Sequence, residues 1–87
     1  MDKALETKLV YNYKIELTTL KDVKEFVKIA TKLEGKLSLK SGAKLTVNAK
    51  SLLGVLLAQH LNWNDLTLTS DRDRYFDFKK FIVDGTN

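Results

Sequence analysis

Apolar and polar residues alternate from Lys8 to Leu17. Leu9, Tyr11, Tyr13, Ile15 and Leu17 fall on one side and Lys8, Asn12, Lys14 and Glu16 on the other, with Val10 the exception. A period of two is that of a strand with one buried face. From Thr19 to Leu33 the period lengthens. Leu20, Val23, Phe26, Val27, Ala30 and Leu33 form the apolar side of a helix, and Lys21, Lys24, Glu25, Lys28 and Lys32 the polar side. Thr19 with Asp22 three residues later reads as a capping box, and Gly35 as the helix stop. Leu37-Ser38-Leu39 and Leu45-Thr46-Val47 alternate again, with Lys40-Ser41-Gly42-Ala43-Lys44 as the hairpin between them. A second helix is expected from Ser51 to about Gln59. Asn62-Trp63-Asn64-Asp65 then turns into a fourth strand, Leu66-Thr67-Leu68-Thr69. Ser70 or Asp71 is the expected cap of a last helix, where Tyr75, Phe78, Phe81 and Ile82 share a face, Phe76 lies off it and Gly85 ends it.

The order is β-α-β-β-α-β-α, and every strand has one apolar face. This predicts an α+β fold, a four-stranded antiparallel sheet with three helices on one side and water on the other. The 87 residues make one domain, 1–87, with an ordered core of about 8–84.

Composition narrows the chemistry. Cysteine is absent and there is one histidine, so disulfides, thiolate metal sites and multi-His metal sites are excluded. No apolar run approaches a membrane span, and Met1 to Glu6 has no signal-peptide apolar region, so a cytoplasmic address is expected. No glycine-rich phosphate loop, metal-ligand spacing or Ser-His-Asp set is present. Asp71, Asp73 and Asp77 are dispersed carboxylates rather than a catalytic pair. The expectation is a binding protein, not an enzyme, with no cofactor. Fifteen Lys and Arg against eleven Asp and Glu give +4, which permits an acidic or nucleic-acid partner without demanding one.

The most informative stretch is Val47-Asn48-Ala49-Lys50-Ser51-Leu52-Leu53-Gly54-Val55-Leu56-Leu57. Ser51 stands at a strand-to-helix switch, an N-cap position. Free N–H groups, the positive end of the helix dipole and Lys50 would stabilise a phosphate placed there. The helix that follows is apolar nearly all round, so part of it should face a partner. Val55 and Leu57 are expected in the core, and Leu52, Leu53 and Leu56, with Lys50, at a partner-binding patch.

This segment resembles the regulatory-serine segment of HPr, the small phosphocarrier of the bacterial phosphotransferase system. The resemblance covers roughly residues 9 to 83. It implies an open-faced β-sandwich, phosphorylation of Ser51 and partners among phosphotransferase or carbon-regulation proteins, such as the HPr serine kinase or a transcriptional regulator. In that family a His-x-Arg-Pro-Ala loop carries the phosphoacceptor into the first helix. Here Thr19 falls at the histidine, Lys21 at the arginine and Asp22 at the proline. A shift of one residue offers only Thr18 or Leu20. A threonine hydroxyl has no accessible basic lone pair and cannot serve as a reversible phosphoryl carrier. Lys21 lacks the planar fork of arginine, and Asp22 puts a negative charge where phosphate would sit. The expected function is a regulatory or adaptor homologue without histidine phosphotransfer.

Two alternatives stay open. His60 could be a relocated acceptor, though no arginine or capping motif accompanies it. A small nucleic-acid-binding module would use the open sheet face, but Asn12, Lys14, Ser38, Thr46, Thr67 and Thr69 offer no aromatic stacking pair. Trp63 reads as packing over a core edge. Lys21, Lys24, Lys28 and Lys32, with Asp22 and Glu25 among them, read as a solvated, ion-paired face.

Overall fold

The computed structural model describes residues 10–83. Within them the alternating stretches become β1 (Tyr11–Ile15), β2 (Leu37–Ser41), β3 (Leu45–Asn48) and β4 (Leu66–Ser70). The helical stretches become α1 (Leu20–Thr31), α2 (Leu52–Asn62) and α3 (Tyr75–Phe78), the last continued by a 3-10 turn at Lys79–Phe81. The sheet runs β1-β4-β2-β3 with every neighbour antiparallel. Ile15 lies opposite Leu66, Leu39 opposite Leu68 on one side and Val47 on the other. This register puts the apolar set of each strand under the helices, since a slip of one residue would turn it to water.

Ile15, Leu17, Val23, Phe26, Ala30, Leu39, Val55, Ala58, Leu66, Leu68 and Phe78 are fully buried between sheet and helices. Phe26 of α1 meets Phe78 at 5.1 Å and the edge of Phe81 at 5.9 Å, which locks α1 to the C-terminal turn. The other face carries Asn12, Lys14, Lys40, Thr46, Thr67 and Thr69, with Thr69 Oγ1 donating to Asn12 Oδ1 at 2.7 Å. The outer edge of β1 is partly covered. Glu16 N–H donates to the Phe81 carbonyl at 3.0 Å and Val83 N–H to that of Lys14 at 2.8 Å, which blunts an exposed edge.

Several expectations need correction. Leu20 is 53% exposed instead of joining the apolar face of α1; it is the first helical residue, above the level of the core. Gly35 lies beyond the C-cap, Lys32. It has φ +98°, and a Cβ there would stand 2.6 Å from Asp71 Oδ1, so its work is in the turn into β2. The turn that follows α1 is held from a distance: Lys50 Nζ donates to the Leu33 carbonyl at 2.6 Å and Arg74 Nη2 to that of Glu34 at 2.9 Å. Neither Ser70 nor Asp71 caps α3. Ser70 Oγ instead accepts from Arg72 N–H at 3.1 Å, and α3 opens at Arg74 with no side-chain cap. Asp73 takes over that end, accepting from Tyr13 Oη at 2.7 Å and Tyr75 N–H at 3.0 Å. These two bonds hold its carboxyl below the usual carboxylate range. Tyr75 is exposed, so the buried face of the last turns is Phe78 and Phe81, with Ile82 half-buried. Leu9, Lys8 and Gly85 lie outside the described residues.

Candidate functional site

The two long helices present their N-termini differently. At α1, Thr19 is extended (φ −128°, ψ 164°) and its Oγ1 accepts from Asp22 N–H at 3.0 Å. Asp22 Oδ2 accepts in return from Thr18 N–H at 3.1 Å, Thr18 Oγ1 at 3.0 Å and Thr19 N–H at 3.3 Å. The capping box is complete, so the place at which a helix N-terminus would receive an anion is filled by the chain's own carboxylate. Burial alone would raise the Asp22 carboxyl, but the hydrogen bonds from Thr18 and Thr19 outweigh it and hold it below the ordinary value. The unfolded chain then binds more protons between the two values. Stability from this group is complete above the unfolded value and is lost as pH falls through the folded one. Asp22→Asn should cost about 0.3–1 kcal/mol near neutral pH. Urea melts from about pH 7 to about pH 3 should show a smaller acid loss in the variant than in the parent.

At α2, Ser51 is also extended (φ −101°, ψ 115°), and its Oγ accepts from Gly54 N–H at 3.1 Å. The turn before it is set by Asn48, whose Oδ1 accepts from Lys50 N–H at 2.9 Å and whose carbonyl accepts from Ser51 N–H at 2.9 Å. The Asn-x-Lys-Ser spacing held that signal, because asparagine bonds its own backbone two residues on. Space at Gly54 is tight: a Cβ there would lie 3.1 Å from Val47 Cβ and 3.3 Å from Ser51 Oγ, so both neighbours would have to give by a few tenths of an ångström. Lys50 is not free beside Ser51, since its ammonium is bonded to the Leu33 carbonyl.

Leu52 and Leu53 are exposed, Leu53 to 80%, and Val55 is fully buried, as expected. Leu56 and Leu57 are exchanged relative to expectation. Leu56 is half-buried against the core, and Leu57 is 48% exposed. The reason is helix phase: Val55 and Ala58 point at the sheet, and Leu57 falls on the opposite side. The helix also runs on to Asn62, three residues past Gln59. Gln59 Nε2 donates to the Leu17 carbonyl at 3.1 Å and Asn62 Nδ2 to Ser41 Oγ at 3.0 Å, while Ser41 Oγ donates to the Ala58 carbonyl at 2.8 Å. These bonds tie the last turn to the sheet and turn a nominal loop residue, Asn62, into a helix anchor. His60 lies exposed in that last turn, at the far end of α2 from Ser51, and Trp63 is 46% exposed at the C-cap.

Among the described residues the lysine row of α1 finds no carboxylate partner. Glu25 binds Lys80 at 2.6 Å and Asp22 is spent on the cap. Lys21, Lys24, Lys28 and Lys32 make no ion pair among the described residues. They line a groove of about 640 Å³ with Ile29, Leu33 and Asp77. Among the described residues no three His, Asp or Glu side chains converge on a metal position, and no helix is long and apolar enough to cross a membrane.

No family model matches the chain, and no curated protein matches it in sequence. Solved structures do match its fold. The crystal structure of a phosphocarrier protein HPr from Bacillus anthracis str. Ames superposes with a TM-score of 0.59 at 18% identity, over 85% of this chain and 92% of that one. HPr-C-His from Thermoanaerobacter tengcongensis gives 0.55 at 18% identity, over 84% and 83%. The four-stranded antiparallel sheet, the three helices and the path between them are those of these proteins, and the chain has the HPr fold.

Proposed function

We propose that this protein is an HPr-like regulatory or adaptor domain of the bacterial phosphotransferase and carbon-regulation system. It acts in the cytoplasm, recognises other proteins with its first two helices, is modified on Ser51 and carries no phosphoryl group on histidine. The observation that carries this reading is the start of α2, where a half-buried serine N-cap stands beside the exposed Leu52 and Leu53. The capped α1 supports it from the other side, because its N-terminus offers a threonine and a carboxylate tied up in a capping box instead of an imidazole. The lysine row of α1, which has no ion-pair partner among the described residues, favours acidic partner surfaces, chiefly by speeding encounter. The HPr serine kinase and a transcriptional regulator are partners of the right chemistry.

A phosphoryl group on Ser51 adds about −1.5 to −2 charge at a helix N-terminus. The fold should be unchanged or more stable by about 0.5–1 kcal/mol. The dianion also competes with the Leu33 carbonyl for Lys50, which changes the surface next to Leu52 and Leu53. Ser51→Ala should lose about 1 kcal/mol, because Gly54 N–H loses its cap. The test is incubation with the HPr serine kinase and ATP, followed by peptide mapping. One phosphoryl group on Ser51, absent from Ser51→Ala, is the expected result. An unmodified chain beside a fully modified HPr control would reduce Ser51 to a helix cap.

A further inference from the structure

The lysine row of α1 borders a groove to which α3 contributes Asp77 and α2 contributes nothing. It is therefore separate from the surface beside Ser51. Ile29 and Leu33 form its apolar lining, half-buried against the core, while Lys21, Lys24, Lys28 and Lys32 are exposed along it. From Lys21 to Lys32 the helix rises about 16 Å. The groove holds about 640 Å³, in the range of clefts that enclose the side chains of a bound molecule. Two carboxylates share the lining, and both are held. Glu25 accepts from Lys80 Nζ at 2.6 Å, and Asp77 Oδ2 lies 3.6 Å from Arg74 Nη1. Among the described residues the four lysines have no carboxylate partner.

We propose that this groove receives a short acidic segment of a partner protein. Aspartates or glutamates of that segment face the lysines, and an aliphatic side chain rests on Ile29 and Leu33. Charge complementarity selects carboxylates, because the four lysines stand beside two acidic residues that other cations already hold. The rest of the lining selects a protein segment over other polyanions. No aromatic ring lines the groove, so a nucleic-acid base has nothing to stack on. Ile29 and Leu33 are half-buried rather than protruding, so an anionic membrane gains no inserted side chain. Salt screens the attraction, so the complex loosens as salt rises. Occupancy does not require phosphorylation of Ser51, so this binding and that modification stand or fall separately.

Fluorescence anisotropy of labelled peptides of about twelve residues, long enough to follow the lysine row, titrated with the full chain tests this. One peptide is built of glutamate and leucine; in the other, serine replaces leucine. The leucine peptide should bind at least about threefold more tightly than the serine peptide. Its binding should be weaker at about 0.5 M than at about 0.05 M salt. Lys24→Glu with Lys28→Glu should remain folded by circular dichroism and weaken binding at least about tenfold. Lys40→Glu with Lys44→Glu, at exposed positions of the β2–β3 hairpin, makes the same change in net charge and should weaken binding less than about threefold. Leu53→Asp should bind within about twofold of the parent. No binding at up to about 1 mM peptide overturns the proposal. So does equal binding of the two peptides, an equal loss in the two double variants, or a large loss in Leu53→Asp, which would put the peptide on α2. A single-stranded oligonucleotide or phosphatidylserine vesicles bound more tightly than the leucine peptide would overturn it as well.

Discussion

Replacing Val55 by aspartate should unfold the domain, whereas the same change at Leu53 should leave it folded. The two residues are neighbours in sequence and of similar hydrophobicity, so composition cannot separate them. Helix phase does. Val55 is fully buried against the sheet and Leu53 is 80% exposed. A carboxylate at Val55 has no counter-charge within the apolar core. Its burial costs several kcal/mol, against a total stability of about 5–10 kcal/mol for a domain of this size. Thermal or urea melts of Val55→Asp should show no cooperative transition at room temperature. Leu53→Asp should lie within about 0.5 kcal/mol of the parent. Leu56→Asp and Leu57→Asp repeat the contrast, with Leu56→Asp the costlier. Equal losses at Leu53 and Val55 would mean that α2 is rotated from the orientation described.

The periodicities carried most of the fold. Strand alternation was legible because each strand buries one face only, so the buried set repeats every second residue. The helix α1 was legible because Lys21, Lys24, Lys28 and Lys32 mark its wet side. The helix α2 was not legible in this way. Its outer side is leucine as well, so sequence cannot distinguish Leu56, against the core, from Leu57, in water. Its end was hidden for another reason: Asn62 is a turn former by local preference, and the bond to Ser41 that keeps it helical comes from a residue far away in sequence. The same holds for α3. Its start is set by Tyr13 and Asp73, which are 60 residues apart. At the site, the Thr19–Asp22 box and the Ser51 cap follow local rules of spacing and were legible. The role of Lys50 was not. Beside Ser51 in sequence it reads as a phosphate partner, but in space its ammonium is bonded to the Leu33 carbonyl in the turn after α1. The lysine row reads as ion-paired in sequence, but its acidic neighbours are bound elsewhere, Glu25 to Lys80 and Asp22 to the cap.

The second large effect is an absence of chemistry at the start of α1. Carrying a phosphoryl group on histidine needs an imidazole lone pair at the helix N-terminus and room for the anion it receives. Thr19 offers a hydroxyl whose oxygen already accepts from Asp22 N–H. The Asp22 carboxylate fills the position beside it, with three hydrogen bonds from Thr18 and Thr19. An incoming phosphoryl group would meet a like charge there. Lys21 is exposed and cannot reproduce a bidentate arginine clamp. The most direct test is the intact mass of the chain after incubation with phosphoenolpyruvate and the general phosphotransferase enzyme, kept near neutral pH to preserve acid-labile phosphate. The mass should stay unchanged while an HPr control gains one phosphoryl group. A gain of one acid-labile phosphoryl group by this chain, abolished in His60→Ala, would contradict the account and make the protein a working carrier with its acceptor moved to the end of α2.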